Sequence, residues 1–253
     1  MLPRITIVTV VYNAESVIRG CIESVLSQDY ENFEYIVIDG GSSDSTVNII
    51  NEYRDQLSAF VSESDEGMYY ALNKGLKYVK GGLWASLNAD DRYSSNSVLS
   101  RVADSYIRDS SFSIYYGDLK IISDNKARYR RTINSDAKDI VIYGQCSIVT
   151  QPSSFINFGL NHSVVFDTRY KCAADYDYIV RCALNGKCKR LDFCVTDFYR
   201  HEGSVTEKYS ALMQSETDDI SKSYVRELEY NRFYVEFRKI YLKFKRGVFR
   251  FLI

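Results

Sequence analysis

The sequence contains no apolar run of about 18 residues, which is the length that a membrane-spanning helix needs. Its charges almost cancel, because 32 Lys and Arg residues stand against 33 Asp and Glu residues and leave a net charge of −1. A chain without an excess of positive charge lacks the electrostatic footprint of a nucleic-acid-binding protein. Proline and histidine are also scarce, with two residues of each. The sequence therefore predicts no membrane span and no nucleic-acid partner.

The cysteines show neither the density of a disulfide framework nor the spacing of a zinc site. The start of the chain, Met1 to Arg4, leads directly into strand-like sequence and does not resemble a secretory signal. We therefore expect a cytoplasmic protein with free thiols, most of which fill the core. The six cysteines are Cys21, Cys146, Cys172, Cys182, Cys188 and Cys194.

The first 90 residues alternate between strand-like and helix-like patterns. Residues 5–11 and 33–38 are nearly continuous apolar runs, as expected for strands buried on both faces of a parallel sheet. Shorter runs follow at residues 59–61 and 83–87, and the intervals between the runs have helical spacing of apolar residues. This order predicts a doubly wound, mainly parallel α/β sheet. The 253 residues suffice for one large domain or two modest ones.

Polar side chains follow three of these four predicted strands. Tyr12 and Asn13 come after the first strand, Asp39 after the second, and the adjacent Asp90 and Asp91 after the fourth. Ligands of such sheets bind at the carboxyl ends of the strands, so we expect these groups to share one rim. Paired carboxylates suit a hard divalent cation such as Mg²⁺ or Mn²⁺. The alternative is that the two adjacent aspartates only cap the following helix.

The second half of the sequence changes from continuous apolar runs to alternating ones. Three alternating segments between residues 112 and 133 are typical of strands that extend the sheet in antiparallel order. Residues 173–184 have helical periodicity, and Asp175 and Asp177 lie in the first turn of this predicted helix. An acidic residue in that position can cap the helix or act in a site, and the pattern alone leaves both possibilities open.

From about residue 205 the sequence predicts helix to its end, and the last part combines basic and aromatic residues. A basic helix with an apolar face is typical of proteins that lie on an anionic membrane surface. The alternative is a helix that packs back on the domain and leaves its basic face in water. The apolar residues recur at spacings of three and four and are Phe233, Phe237, Ile240, Phe244, Val248 and Phe251. The basic residues are Arg232, Arg238, Lys239, Lys243, Lys245, Arg246 and Arg250.

Six short segments, taken in this order and at these intervals, resemble the family-2 glycosyltransferases of the GT-A fold that build bacterial surface polysaccharides. Each segment is weakly informative alone, whereas the ordered set extends the resemblance over residues 5–204. The segments are VTVVYNAE (8–15), IDGGSSDST (38–46), ESDEGMYYALNKG (63–75), LNADD (87–91), ADYD (174–177) and YRHEGS (199–204).

The resemblance implies roles for individual residues in donor binding. It places Asp91 on a divalent metal ion, Mn²⁺ or Mg²⁺, and Asp90 toward the ribose. It gives Asp39 to the base, uracil, and His201 to the metal or the diphosphate. The remaining positions that it implies for the donor site are Thr9, Tyr12, Glu15, Asp65, Lys74 and Asn88.

The resemblance further implies an inverting, metal-dependent transfer from a nucleotide-sugar, a UDP-sugar, to a hydroxyl of a polyprenyl-linked glycan. Such a reaction belongs to O-antigen, capsule or exopolysaccharide biosynthesis, on the inner face of the cytoplasmic membrane. Asp175 matches the catalytic base of the family. Ala174 stands where many relatives have Glu, which leaves Asp177 as an alternative base.

The resemblance also implies that residues 1–204 form the GT-A glycosyltransferase domain, with a nucleotide-sugar-binding half (1–91) and an acceptor-side half (92–204). Residues 205–253 lie beyond the resemblance, and their own pattern predicts an amphipathic helical tail that either associates peripherally with the membrane or packs on the domain.

Two other functions fit the sequence less well. A catalytically silent nucleotide-sugar-binding or scaffold subunit would not need Asp39, Asp175 and the Asp90–Asp91 pair together. A nucleotidyltransferase would need a Gly-rich phosphate loop with basic residues near its amino end. The chain has Tyr-Asn-Ala-Glu at residues 12–15 instead.

Overall fold

The computed structural model describes residues 2–123, 126–144, 148–200 and 209–251. His201 and Cys146 lie outside the described residues, as do residues 205–208 at the predicted start of the tail. The strands are β1 (Ile5–Val11), β2 (Phe33–Asp39), β3 (Ala59–Ser62), β4 (Leu83–Ser86), β5 (Arg92–Tyr93), β6 (Phe112–Ser123), β7 (Lys126–Arg130), β8 (Ser154–Asn157) and β9 (Lys187–Tyr199). The helices are α1 (Ile18–Leu26), α2 (Thr46–Asn51), α3 (Met68–Leu76), α4 (Val98–Arg108), α5 (Ala137–Tyr143), α6 (Phe158–Asn161), α7 (Ala174–Leu184), α8 (Ser210–Glu227) and α9 (Arg232–Phe251).

These strands form one sheet in the order β3-β2-β1-β4-β8-β6-β9-β5, and β7 pairs with β6. The first four strands of that order run parallel, with Val8 of β1 opposite Ile36 on one side and Ser86 on the other. Strand β8 runs antiparallel to both β4 and β6, whereas β9 runs parallel to β6. The predicted mainly parallel, doubly wound sheet with an antiparallel extension is confirmed.

Helices cover both faces of the sheet because the side chains of its central strands are apolar on both sides. Ile7 of β1 lies in a core with α1 and α4, whereas Val8 lies in a second core with α3, α5 and α7. Trp84 of β4 belongs to this second core, and its indole N–H donates to the hydroxyl of Tyr178 on α7 at 3.2 Å. Helix α7 is therefore fixed against the strand whose end carries the Asp pair.

Two non-glycine residues with positive φ lie just outside helices. Asn13 has a φ of 46° and accepts from the N–H of Ser43, and α1 begins only at Ile18. Asn tolerates this left-handed backbone better than most residues. The predicted continuous helix of the tail is two helices, α8 and α9, which separate where Glu229 has a φ of 55°.

Two glycines precede β4, at a point where the chain passes close to Arg4, the residue before β1. Gly81 and Gly82 both have positive φ values, 124° and 71°. A Cβ on Gly82 would collide with the carbonyl oxygen of Arg4, whereas one on Gly81 meets nothing within 4 Å. We expect Gly82→Ala to lower the free energy of unfolding by about 1–3 kcal/mol more than Gly81→Ala, since both strain the backbone and only one adds overlap. Urea unfolding measures the difference, and equal values would argue against the close approach.

Candidate active site

The carboxyl ends of β2, β1 and β4 form an edge that carries most of the predicted site residues. Val11, the last residue of β1, pairs with Asp39, the last residue of β2, and β4 runs beside β1 on its other side. Tyr12, Asp39 and Asn88 therefore emerge from neighbouring parallel strands at one edge of the sheet, where ligands of such sheets bind. We call this edge the donor edge.

The carboxylate of Asp39 is fully buried and shapes the loop that follows β2. It accepts hydrogen bonds from the N–H groups of Gly41 and Ser42, both at 3.1 Å, and from the hydroxyl of Ser42. The hydroxyl of Ser62 donates to it as well, at 2.7 Å. A carboxylate offers about four lone-pair sites, so a further N–H can reach Asp39 only by replacing one of the two rotatable hydroxyl donors.

The loops after β1 and β2 are tied to each other at the donor edge. The side-chain oxygen of Asn13 accepts from the N–H of Ser43 at 2.8 Å, and the carboxylate of Glu15 accepts from the N–H of Ser45 at 2.7 Å. Glu15 thus joins the two loops, whereas the ring of Tyr12 is largely exposed. Both side chains are exposed, but the carboxylate of Glu15 already accepts a hydrogen bond, whereas the ring of Tyr12 is open to a ligand.

The structure corrects the prediction that Thr9 lines the nucleotide pocket. Thr9 is fully buried, and its hydroxyl accepts from the hydroxyl of Tyr35 at 3.0 Å and lies 3.7 Å from the sulfur of Cys21 on α1. Strand alternation turns Thr9 to the same face as Ile7, toward α1. Its hydroxyl therefore belongs to the core and not to the donor edge.

Asp65 lies between β3 and α3 and faces the glycine turn after β2. The N–H of Gly67 donates to its Oδ1 at 2.9 Å, and a Cβ on Gly40 would lie 3.2 Å from its Oδ2. This Oδ2 is buried and has no hydrogen-bond partner among the described residues. A buried acceptor without a donor is costly, so the oxygen is suited to receive a ligand hydroxyl or N–H. Lys74 of α3, also predicted near the donor, pairs with Glu63 at 2.9 Å.

The two aspartates after β4 differ in their access to solvent. Asp91 is 0% exposed, and its oxygens accept from the N–H of Tyr199 at 3.2 Å and from the side-chain amide of Asn88 at 3.1 Å. Burial, followed by the charge of Asp90, raises the pKa of Asp91 well above its usual range. Asp90 is only half-buried. Asp90 is therefore the more accessible carboxylate of the pair, whereas the prediction gives the metal to Asp91 and the ribose to Asp90.

The chemistry of this pair suits a cation. Both hydrogen-bond partners of the buried Asp91 carboxylate are neutral, and the like charge of the neighbouring Asp90 adds to the rise in the pKa of Asp91. Within residues 2–123, 126–144, 148–200 and 209–251, no three Asp, Glu, Cys or His side chains converge as a complete metal site. The predicted ligand His201 lies outside the described residues, two positions after Tyr199. The cysteines that the structure describes are free thiols.

Helix α7 carries the two candidate bases in its first turn and separates their roles. Asp177 is buried, and its Oδ2 accepts from Arg181 Nε at 2.8 Å and Nη2 at 2.6 Å, while the hydroxyl of Tyr224 on α8 donates to its Oδ1 at 3.0 Å. Asp175 is half-buried and accepts from the hydroxyl of Tyr69 on α3 at 3.2 Å. Because Arg181 and Tyr224 both bind Asp177, this carboxylate stabilises the position of α7. Asp175 is therefore the better candidate for contact with a substrate.

Tyr69 connects Asp175 to the donor edge. It is the second residue of α3, which directly follows the loop of Asp65, and Asp65 borders the turn after Asp39. Tyr69 lies within the 63–75 segment of the resemblance, yet its contact could not be read from the sequence because its partner is 106 residues away. The short segment from Asp65 to Tyr69 therefore contacts both the turn after Asp39 and the carboxylate of Asp175.

Replacing Tyr69 by Phe is expected to lower kcat for the sugar transfer that the resemblance implies by about 5–10-fold, the effect of losing one hydrogen bond of about 1–1.5 kcal/mol. The ring is expected to keep its place, since it stacks on Phe166 with centroids 5.8 Å apart. The neighbouring exposed Tyr70 offers a matched control, and Tyr70→Phe is expected to retain the wild-type kcat. An unchanged kcat for Tyr69→Phe would show that this hydrogen bond does not contribute to transfer.

Comparison with known proteins identifies the family. Residues 6–172, more than half of the chain, match the family model described as Glycosyl transferase family 2. A "PGL/p-HBAD biosynthesis glycosyltransferase" of Mycobacterium bovis is 28% identical over 187 residues, which cover 72% of this chain and 71% of that protein. An uncharacterized glycosyltransferase of Rickettsia typhi is 31% identical over 189 residues, which cover 69% of this chain and 57% of that protein.

Solved structures share the fold at low sequence identity. S. aureus TarS 1–349 in complex with UDP-GlcNAc superposes with a TM-score of 0.69 and 19% identity, covering 90% of this chain and 74% of that one. The chain spans 44% of the longer TarS structure. The mannosyltransferase PcManGT from Pyrobaculum calidifontis, in complex with GDP-Man and Mn²⁺, has a TM-score of 0.63 and 15% identity, covering 92% and 66%. Taken with the family match over residues 6–172, this shared fold means that the chain belongs to glycosyl transferase family 2 and is a glycosyltransferase of the GT-A fold.

Proposed function

We propose that this glycosyltransferase inverts the configuration of the transferred sugar, depends on a divalent metal, and moves the sugar from a UDP-sugar to a hydroxyl of a polyprenyl-linked glycan. The pathway that we propose is the synthesis of a surface polysaccharide such as O-antigen, capsule or exopolysaccharide. The observation that carries the proposal is that the two aspartates in the first turn of α7 have different hydrogen-bond partners. Asp177 is held by Arg181 and Tyr224, while Asp175 contacts Tyr69 beside the donor edge.

The nucleotide end of the donor fits the region of Tyr12, Asp39 and Asp65. The exposed ring of Tyr12 offers a face on which a base can stack. The hydroxyls of Ser42 and Ser62 can rotate away from Asp39 and leave room for the imide N–H of uracil. The unpartnered Oδ2 of Asp65 suits a ribose hydroxyl. That TarS was solved with UDP-GlcNAc supports a UDP-sugar as the donor proposed for this chain.

The cation, Mn²⁺ or Mg²⁺, would be held at Asp90, the accessible member of the pair, with His201 as a further contact to the metal or the diphosphate. When bound, it would offset the negative charge that gathers on the leaving diphosphate. Asp91 would stabilise this site indirectly, because its hydrogen bonds with Asn88 and Tyr199 fix the turn that carries Asp90. The Mn²⁺ complex of PcManGT supports the use of a metal on this fold.

Asp175 accepts the proton that the acceptor hydroxyl loses as its oxygen attacks the anomeric carbon. The hydroxyl of Tyr69 donates to this carboxylate and therefore orients it. One base on the side of the sugar opposite the leaving group suffices for a single displacement. Such a displacement inverts the anomeric configuration and requires no second carboxylate as a nucleophile.

A donor panel tests the proposal. We expect the largest rise in Tm with a UDP-sugar plus Mn²⁺, and smaller rises with GDP- and dTDP-sugars, because only a ligand that binds the folded state stabilises it. Transfer is then measured with polyprenyl-linked acceptors. Donor binding without transfer or donor hydrolysis would favour the catalytically silent subunit, and no stabilisation by any nucleotide-sugar would overturn the proposal.

The C-terminal helix α9 uses its two faces differently. Leu242 is buried in the core with α5 and α7, and Arg238 Nε donates to Asp139 Oδ1 at 2.6 Å. One face of α9 thus packs on the domain, as the alternative prediction described. The opposite face leaves a stripe of large apolar side chains in water, and their exposed fractions are Phe233 84%, Phe237 62%, Ile240 67% and Phe244 70%.

We place this stripe on an anionic membrane surface, where the enzyme would meet its acceptor. Arg232, Lys239 and Lys243 flank the stripe on one side, where Glu236 is the acidic neighbour. This excess of positive charge suits acidic lipid head groups and disfavours a second copy of the same helix, whose like charges would meet. In the part of the chain that the structure describes, no helix is long and apolar enough to cross a bilayer.

The double variant Phe237→Glu/Ile240→Glu is expected to reduce recovery on phosphatidylglycerol vesicles by more than about tenfold, since each buried apolar side chain contributes about 1.5–3 kcal/mol. Co-sedimentation at low salt measures the recovery. Ile107→Glu, at an exposed position of α4, is the control and is expected to leave recovery unchanged. Equal recovery of all three proteins, or a change of oligomeric state in place of vesicle binding, would count against the membrane surface.

A further inference from the structure

Helix α7, which carries Asp175, begins without a cap of its own. Its N-cap residue is Ala173, which has no side-chain acceptor. A carboxylate from a distant helix takes over part of this task. Glu216 of α8 accepts from the N–H groups of Lys171 at 2.9 Å, Cys172 at 2.8 Å and Ala173 at 3.0 Å.

These three bonds hold the segment that leads into the first turn of α7. Asp175 follows Ala173 by two residues, so its backbone starts from the segment that Glu216 fixes. A negative charge is also favourable at a helix N-terminus, where the backbone N–H groups point outward. Tyr224, on the same helix as Glu216, donates to Asp177 one turn further on. Helix α8 therefore binds the start of α7 at two points, through Glu216 before Asp175 and through Tyr224 after it.

We infer that Glu216 is a positioning residue for sugar transfer, which acts by holding the carboxylate of Asp175 in register with the donor. The inference rests on the proposed role of Asp175 as the base. It gives helix α8 a role in sugar transfer, because the residue that positions the base belongs to this helix. Misplacement of a reacting group by about 1 Å can cost about a hundredfold in rate, so a lost tether is expected to be visible in kcat.

Glu216→Ala is expected to lower kcat by about tenfold or more, while the KM for the donor stays within about twofold because the bonds of Glu216 go to the acceptor-side helix and not to the donor edge. Asp219→Ala is the matched control, since Asp219 lies on the same helix with an exposed side chain, and it is expected to keep wild-type kinetics. A wild-type kcat for Glu216→Ala would overturn the inference.

The decisive readout is the same substitution in the Asp175→Asn background. If Glu216 acts through Asp175, Glu216→Ala leaves the residual rate of Asp175→Asn unchanged within about twofold, because the group that it positions is already disabled. The same fractional loss in both backgrounds would show a general defect and overturn the inference.

A second variant covers the case in which Glu216→Ala fails to fold. Glu216→Gln keeps one oxygen that can accept from the same N–H groups, so it is expected to fold and to have an intermediate kcat. A wild-type kcat for Glu216→Gln, where the alanine variant is unfolded, would also overturn the inference. Full activity of Asp175→Asn itself would instead overturn the proposed function, whatever the Glu216 variants do.

Discussion

The variant Asp175→Asn is expected to lower kcat by about 10²–10⁴-fold, which is the usual contribution of a positioned general base. Asparagine has the size of aspartate and can still accept from the hydroxyl of Tyr69, but it cannot take the proton of the acceptor hydroxyl. Stability and donor binding are expected to change little, because the side chain is only half-buried and the donor edge is intact. Initial rates at saturating donor and acceptor, together with the Tm rise on adding donor, separate these effects.

Asp177→Asn is the matched control from the same helical turn. It removes a buried carboxylate that accepts twice from Arg181 and once from Tyr224, so we expect a loss of about 1–3 kcal/mol in the free energy of unfolding. Its kcat, measured well below its Tm, is expected to fall less than tenfold. If Asp177→Asn abolished transfer and Asp175→Asn did not, the base would be Asp177.

Asp90→Asn is expected to remove the Mn²⁺-dependent part of donor stabilisation and to lower transfer by about 10²–10³-fold. An amide is a weaker ligand than a carboxylate for a hard cation, and charge stabilisation at the leaving group is among the largest contributions to such reactions. The measurement is the Tm rise with a UDP-sugar, with and without Mn²⁺, followed by the initial rate.

Asp91→Asn distinguishes between the two carboxylates. Its amide oxygen can replace one acceptor of the buried carboxylate toward Asn88 or Tyr199, and the substitution removes the repulsion with Asp90. We therefore expect Asp91→Asn to keep part of the Mn²⁺ response that Asp90→Asn loses. The opposite pattern would restore the assignment of Asp91 to the metal.

The parallel half of the sheet could be predicted because its signals are local. Continuous apolar runs mark buried strands, helical spacing marks the crossovers, and residues that follow the strands must then meet at one edge. The positions of Asp39 and Asp90 at this edge were predicted in this way. Periodicity also identified α7 and placed Asp175 in its first turn.

The features that the sequence did not reveal come from contacts between residues far apart in sequence. The burial of Thr9 depends on the pairing of β1 with β2 and on α1, and strand alternation alone does not say which face is the open one. Asp91 is covered by Tyr199, which is 108 residues further along the chain. Glu216 lies in a helix that looks like a separate tail in the sequence, and only the folded chain brings it to α7.

A crystal structure with a UDP-sugar and Mn²⁺ tests most directly whether carboxylates from the strand ends and from α7 surround one donor. We expect the uracil to lie against Tyr12 and Asp39, the cation to contact Asp90, and Asp175 to face the sugar from the side opposite the diphosphate. A nucleotide bound away from the donor edge, or a sugar that Asp175 cannot reach, would contradict this arrangement.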